Sequence, residues 1–105
     1  MSNAPMQASA APAIECVIRA EPDADGLHIA ALARAATAAS GQYRLRIAKW
    51  SESGRSSNIQ SGAFALVAGR EQVLVSVMLD RSAVGHYRAE LTLQSDQETS
   101  SCTSP

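Results

Sequence analysis

The sequence has few aromatic residues, almost no net charge and no long apolar run. Aromatic residues make up 4% of the 105 residues, and the formal net charge at pH 7 is −1. So little net charge argues against nucleic-acid binding, and no apolar run approaches the roughly 20 residues that span a bilayer. We therefore expect neither a nucleic-acid partner nor membrane insertion.

The residue groups that mark catalytic or metal sites are also missing from the sequence. His28 and His86 have no cysteine, histidine or carboxylate at metal-ligand spacing. No Gly-x-Ser-x-Gly nucleophile motif occurs, and the Gly/Ser-rich stretch 53–66 lacks the lysine and the following helix of a phosphate-binding loop. Asp23 and Asp25 resemble half of a calcium loop but fit a capped turn better. The sequence thus predicts no enzyme, no metal and no cofactor.

What the sequence does contain is a recurrent alternation of apolar and polar residues, the pattern of half-buried β-strands. Turn residues separate the alternating runs at spacings of about 8–12 residues, as in immunoglobulin-like domains. We therefore predict an all-β, immunoglobulin-like β-sandwich of about seven antiparallel strands. The predicted strands are 13–20, 26–37, 42–50, a short strand around Ile59, 63–68, 72–80 and 86–94, with a turn at Ser61-Gly62.

One of these segments, 26–37, has conflicting signals. It is rich in alanine, the strongest helix former, yet it also alternates with period two. Strand propensity depends strongly on context, and the neighbouring runs all have strand period. We therefore predict a strand here.

The chain length suits one domain. We assign residues 13–95 to the sandwich and expect flexible segments on both sides of it. Residues 1–12 begin with "MSNA", which is typical of an expression scar, and continue with an Ala/Ser/Pro-rich stretch that is common after a removed signal peptide. Residues 96–105 are polar and rich in Ser and Thr, so we expect a loose tail. We expect a monomer.

The two cysteines lie near opposite ends of the predicted domain. Cys16 falls in the first predicted strand and Cys102 beyond the last one. The first and last strands of such sandwiches are often neighbours, so the thiols could form a disulfide worth roughly 4–5 kcal/mol in the chain-entropy model. The alternative is two unpaired thiols, one buried and one in a mobile tail. We expect the disulfide if the protein is exported.

A family resemblance is carried by the run "GQYRLRIAKWSESGRSSNIQSGAFAL". Here a strand ends near a lysine and is followed by a Gly/Ser turn, then by Ser-Asn-Ile-Gln-Ser-Gly and an aromatic residue. This pattern resembles the curli assembly protein CsgH family, which is related to the periplasmic curli protein CsgC. The resemblance continues through "ALVAGREQVLVSVML" and "HYRAELTL" and covers approximately residues 14–94.

The resemblance implies a periplasmic, chaperone-like inhibitor of amyloid formation. Its partner would be the curli major subunit CsgA, an amyloid-forming client held by transient, non-covalent contacts in its unfolded or prefibrillar form. The enterobacterial relative carries a Cys-x-Cys pair that this chain lacks, so a redox role does not carry over. The alternative function is a passive immunoglobulin-like structural or adhesive module of a surface protein.

A client-binding surface can be sought on the predicted sheet. If strands 42–50, 72–80 and 86–94 share one sheet, its outer face carries cationic residues around two apolar ones. The predicted binding residues are Arg44, Arg46, Arg88, Leu74 and Met78. Arginine and methionine both suit adaptable, weak binding. Two other possibilities stay open: an ordinary solvated face balanced by Glu90, and binding through an exposed sheet edge.

Overall fold

A computed structural model describes residues 13–96 and 98–105, and all regular structure there other than one short turn of helix is β-strand. The helical turn is a 3-10 turn at Arg81–Ala83. The strands are β1 (Ile14–Pro22), β2 (Leu27–Ala35), β3 (Ala39–Ser51), β4 (Gly54–Leu66), β5 (Gln72–Leu79), β6 (Tyr87–Ser95) and β7 (Thr99–Ser104). The prediction of an all-β fold with seven strands is confirmed.

The strands form two antiparallel sheets. One has three strands in the order β1-β2-β5, and the other has four in the order β4-β3-β6-β7. In immunoglobulin nomenclature these are an ABE sheet and a C′CFG sheet, and residues 13–96 and 98–105 contain no strand D. Two sheets of this kind bury their inner faces against each other and leave their outer faces to solvent.

The core lies between the inner faces and consists of aliphatic side chains and Phe64. The largest fully buried side chains are Ile29, Leu45, Ile47, Leu91 and Leu93. Leu45 and Ile47 on β3 and Leu91 and Leu93 on β6 belong to this set, and each pair is separated by one exposed residue, as the alternation predicts. No charged or polar side chain of the described residues is buried, so hydrophobic burial provides the main stabilisation of the sandwich.

β2 confirms the choice of strand over helix. It pairs with β1 on one side and with β5 on the other, so it is the central strand of its sheet. Ala31, Ala33 and Ala35 point inward and are 0%, 2% and 3% exposed. A helix in this segment would forgo the hydrogen bonds to both neighbours, and the tertiary pairing therefore overrides the local propensity of alanine.

β4 corrects one part of the strand assignment. The predicted turn at Ser61-Gly62 is wrong, because residues 54–66 form one strand paired with β3 along its whole length. Gly62 lies opposite Tyr43, and a Cβ atom on it would meet the Tyr43 ring at 3.0 Å. The glycine therefore serves the sheet by leaving room for a cross-strand aromatic ring.

β7 is the seventh strand of the structure. The prediction reached the same number by dividing β4 into two strands. The prediction of a loose tail is wrong for Thr99–Ser104, which pairs with β6. Its sequence consists of Ser, Thr and one Cys, and this polar composition lacks the apolar alternation from which a strand is predicted. Thr side chains suit strands, and the neighbouring β6 provides the ladder of hydrogen bonds that a polar segment needs.

The position of β5 is the third correction. The predicted sheet of strands 42–50, 72–80 and 86–94 is wrong, because β5 pairs with β2 while β3 pairs directly with β6. Antiparallel strands that are consecutive in sequence need not share a sheet in this fold, since the chain crosses from one sheet to the other between β4 and β5 and again between β5 and β6. Sequence periodicity carries no information about these crossings.

Candidate functional site

The outer face of the four-stranded sheet carries most of the predicted binding residues. Arg44 and Arg46 lie on β3 and Arg88 lies on β6, and all three side chains are exposed. They project outward because Leu45, Ile47 and Ala89, which alternate with them, fill the core. Three of the five predicted binding residues therefore share one surface.

The cross-strand register sets the charge balance of this face. Arg46 lies opposite Glu90, and its Nη1 is 3.7 Å from Glu90 Oε1. Arg88 Nε is 3.8 Å from Glu90 Oε2, so two guanidinium groups share one carboxylate. All these side chains are about half exposed, and such pairs contribute only about 0–1 kcal/mol. Positive charge therefore predominates on this face.

The register adds three residues to the face that the sequence prediction missed. Trp50 follows Arg46 on the same side of β3, and on β4 Ile59 lies opposite Arg46 and Arg55 opposite Trp50. Trp50 and Ile59 are 42% and 49% exposed. The alternation of β3 was sufficient to place Trp50, whereas the β4 residues required the pairing of β3 with β4.

Trp50 is held at the end of this face by its neighbour His86. The Trp50 backbone N–H donates to the His86 carbonyl at 3.0 Å, and the two rings meet edge to face with centroids 6.5 Å apart. The indole thus packs against the His86 ring and is still 42% exposed. Aromatic and arginine side chains on one surface are typical of protein-binding sites.

Leu74 and Met78 do not belong to this surface. Both lie on β5, at the edge of the three-stranded sheet, where Met78 is 50% exposed and Leu74 is partly buried. The predicted cluster of three arginines around these two residues is therefore wrong in its geometry. The exposed apolar residues that lie beside the arginines are Trp50 and Ile59.

The predicted disulfide between Cys16 and Cys102 is present. It joins β1 of one sheet to β7 of the other, with the two Cα atoms 6.0 Å apart. Ser100 Oγ also donates to the Ile14 carbonyl at 3.0 Å across the same gap. We call this side of the sandwich the closed side. The opposite side, where β4 and β5 end their sheets, is called the open side.

A cleft of about 480 Å³ lies at the end of the sandwich remote from Trp50. Its wall includes Glu98, whose carboxylate accepts from the backbone N–H groups of Ala13 and Ile14, each at 3.2 Å. Ser100 Oγ lies 3.0 Å from Glu98 Oε2, and its one proton is shared between this carboxylate and the Ile14 carbonyl. The bonds from Ile14 and Ser100 hold the pKa of Glu98 below its usual value. This carboxylate anchors the start of β1.

The histidines and the turn acids occupy peripheral positions. Asp23 Oδ1 accepts from the N–H groups of Asp25 and Gly26 at 2.7 and 3.0 Å, which confirms the capped turn. His28 Nε2 lies 2.7 Å from Asp23 Oδ2. Within residues 13–96 and 98–105 no group of three metal-ligating side chains converges, and no helix there has the length and apolarity to cross a membrane.

The fold and this surface define the class of protein. The chain is a small immunoglobulin-like β-sandwich with a cationic, partly apolar outer sheet face. The family model described as "CsgH protein" matches residues 10–104, and the chain therefore belongs to the CsgH family. The predicted resemblance is confirmed, and the match extends past β6 to include β7.

Two solved structures share the fold. The solution structure of CsgH from R. palustris is 24% identical, aligns with 86% of this chain and 89% of its own, and gives a TM-score of 0.73. The E. coli curli protein CsgC is 16% identical, aligns with 88% of this chain and 98% of its own, and gives a TM-score of 0.75. Among curated protein sequences there is no significant match.

Proposed function

We propose that this protein is a periplasmic, chaperone-like inhibitor that delays amyloid formation by the curli major subunit CsgA. Membership of the CsgH family and a fold shared with a curli protein support this role. The observation that carries the proposal is the outer face of the four-stranded sheet, which Arg44, Arg46, Arg55 and Arg88 share with the exposed Trp50 and Ile59.

The chemistry of this face suits weak binding of an unfolded client. The face has four arginines and one glutamate, and its excess positive charge attracts acidic segments within a Debye length of about 8 Å at physiological salt. Trp50 and Ile59 then offer apolar contact without a deep pocket. Contacts of this kind are individually weak, so we propose that the complex forms and dissociates quickly and delays nucleation without a chemical step.

The disulfide supports an extracytoplasmic location. Cys16 and Cys102 are joined, and disulfides persist in oxidising compartments such as the bacterial periplasm. A curli subunit in transit through that compartment is unfolded and prone to form β-structure. An inhibitor in the same compartment would meet the client before it leaves the cell.

The direct test is a thioflavin fluorescence assay of purified CsgA with substoichiometric amounts of the protein. We expect a longer lag phase and a delay that shrinks as salt is raised. A passive structural or adhesive module would leave the lag unchanged at every salt concentration, and that result would exclude the proposal.

The surface itself is tested by charge reversal. The triple variant Arg44→Glu, Arg46→Glu and Arg88→Glu should stay folded, because exposed substitutions usually change stability by only about ±0.5 kcal/mol each, and it should lose most of the delay. The matched control is Arg34→Glu, Arg70→Glu and Arg81→Glu, which has the same net charge but alters exposed arginines elsewhere. Equal loss in both variants would show that net charge matters and the face does not.

A further inference from the structure

We propose that the free edge of β5 is a strand-addition site for an extended segment of another polypeptide. The segment would carry apolar side chains at alternate positions and pair with β5 through backbone hydrogen bonds. This inference rests on the proposed function, because an amyloid-forming subunit supplies segments of this kind. It assigns a second contact surface, separate from the arginine-bearing face.

The two sides of the sandwich differ in how their edges are protected. On the closed side the disulfide and the bond from Ser100 to Ile14 tie the β1 and β7 edges together. On the open side β5 and β4 end different sheets, and no ladder of hydrogen bonds joins them. Within the described residues no strand fills the place beside β5 that strand D occupies in larger immunoglobulin-like domains.

The β5 edge has an exposed apolar margin. Val75, Val77 and Leu79 face the core but are only partly buried, whereas their partners Ala31, Ile29 and Leu27 on β2 are at most 2% exposed. On the outer face of the same strand, Val73 and Met78 are 52% and 50% exposed. An added strand would cover apolar groups on both faces of β5.

Apart from a register shift in its pairing with β2 near Ala31 and Leu32, β5 lacks the devices that usually protect a free edge. Its eight residues, QVLVSVML, include no charged residue, no proline and no glycine. β4, the other edge on the open side, is a poorer site. Its first six residues, Gly54 to Ile59, are all exposed and mostly polar, so that part of β4 offers backbone groups without an apolar margin.

The charges at the ends of β5 disfavour a second copy of this chain as the occupant. Full antiparallel pairing of two β5 strands sets Gln72 of each copy against Leu79 of the other. The same register sets Glu71 against Asp80 and Arg70 against Arg81, so like charges meet at both ends. Like charges directly opposite destabilise a strand pair. A neutral segment of a different chain meets no such repulsion.

Amide hydrogen exchange tests the site in the full chain. The ¹⁵N-labelled protein is compared with and without unlabelled, monomeric CsgA during the lag phase. We expect slower exchange at the β5 amides that face away from β2, with β4 amides unchanged. Unchanged β5 exchange alongside shifted Arg44 and Arg46 resonances would overturn the proposal. Protection that exists without CsgA and grows with protein concentration would identify a second copy and also overturn it.

A lysine substitution on the core-facing side of β5 provides an independent test. Val77→Lys places an inward charge on the edge strand, with a stem long enough for the ammonium group to reach water. Val67→Lys is the matched control, because Val67 is 56% exposed in the turn before β5. We expect Val77→Lys to lose most of the delay of CsgA fibrils and Val67→Lys to retain it.

The outcomes separate this proposal from the proposed function. If the wild-type protein does not delay fibrils, the proposed function fails. If the wild type delays fibrils and folded Val77→Lys delays them equally, only the β5 proposal fails. If circular dichroism shows that Val77→Lys does not fold, the exchange experiment on the wild-type protein decides alone.

Discussion

Removal of the disulfide should reveal how much of the stability depends on the closed side. The perturbation is the double substitution Cys16→Ala and Cys102→Ala. The bridge spans 86 positions of the chain, and the chain-entropy relation gives about 4–5 kcal/mol at 25 °C for a loop of that length. Small domains are stable by about 5–15 kcal/mol, so the bridge could account for a large share of the total.

The native sandwich should nevertheless survive this change. Ser100 still donates to the Ile14 carbonyl, and Glu98 still accepts from the N–H groups at the start of β1. The pairing of β7 with β6 does not involve the sulfur atoms. The loss should therefore arise mainly in the unfolded chain, which gains conformational freedom when the loop opens.

Urea denaturation of the oxidised wild type and the double variant measures this effect. With an m-value of about 2 kcal/mol/M, a loss of about 4 kcal/mol lowers the midpoint by about 2 M. The variant should also have a larger m-value, because its unfolded state is less compact and exposes more surface. Wild type reduced with dithiothreitol is the control and should resemble the variant.

Two results would refute this reasoning. A loss below about 1 kcal/mol would contradict the loop-entropy magnitude. A full loss with identical m-values would place the effect in the native state and contradict the proposed origin in the unfolded chain. Intact mass with and without reductant confirms beforehand that the wild-type sample is oxidised.

Two further predictions concern stability. Because the pKa of Glu98 is lowered in the folded protein, its stabilising effect should be present above its usual value of 4.5 and decline as pH falls through the folded pKa. Glu98→Gln should therefore lower the midpoint of thermal unfolding at pH 7 and have less effect at pH 3. Gly41→Ala should destabilise the protein more than Gly62→Ala. A Cβ at Gly41 would clash with the backbone carbonyl of Gln94, whereas a Cβ at Gly62 would meet the Tyr43 ring at 3.0 Å. Urea denaturation measures the loss of stability in both variants.

Each of these predictions has a result that contradicts it. An effect of Glu98→Gln that is independent of pH would mean that the carboxylate charge is irrelevant. For the glycines, Gly62→Ala combined with Tyr43→Ala is the control, since removal of the ring should relieve the crowding. Equal losses for Gly41→Ala and Gly62→Ala would show that backbone and side-chain obstacles cost the same.

Local sequence determined the strands and their faces. Leu45, Ile47, Leu91 and Leu93 could be placed inside because period-two alternation is a property of one strand and needs no partner. The same alternation placed Arg44, Arg46 and Arg88 outside. The family resemblance, carried by residues around β3 and β4, was likewise readable from the sequence and is confirmed by the match to residues 10–104.

Sequence failed where the signal depends on a neighbour. The polar segment Thr99–Ser104 is a strand only because β6 offers it a ladder. Gly62 was predicted to lie in a turn, because the sequence does not show that the ring of Tyr43 on another strand requires a glycine there. For the alanine-rich β2, by contrast, the period of the neighbouring runs was enough to predict a strand, and the pairing with β1 and β5 is the physical reason for it.

Tertiary structure alone decided which strands contribute to each candidate surface. A strand's pattern tells which side chains share a face, but the choice of sheet depends on the crossings between the two layers. The β4–β5 and β5–β6 crossings separate Leu74 and Met78 from the arginines, and the β3–β4 pairing adds Ile59 and Arg55 to them. The same crossings place the uncharged β5 at the edge of its sheet. Local geometry determines which face of a strand a side chain occupies, whereas only the assembled sheets determine which strands lie at an edge.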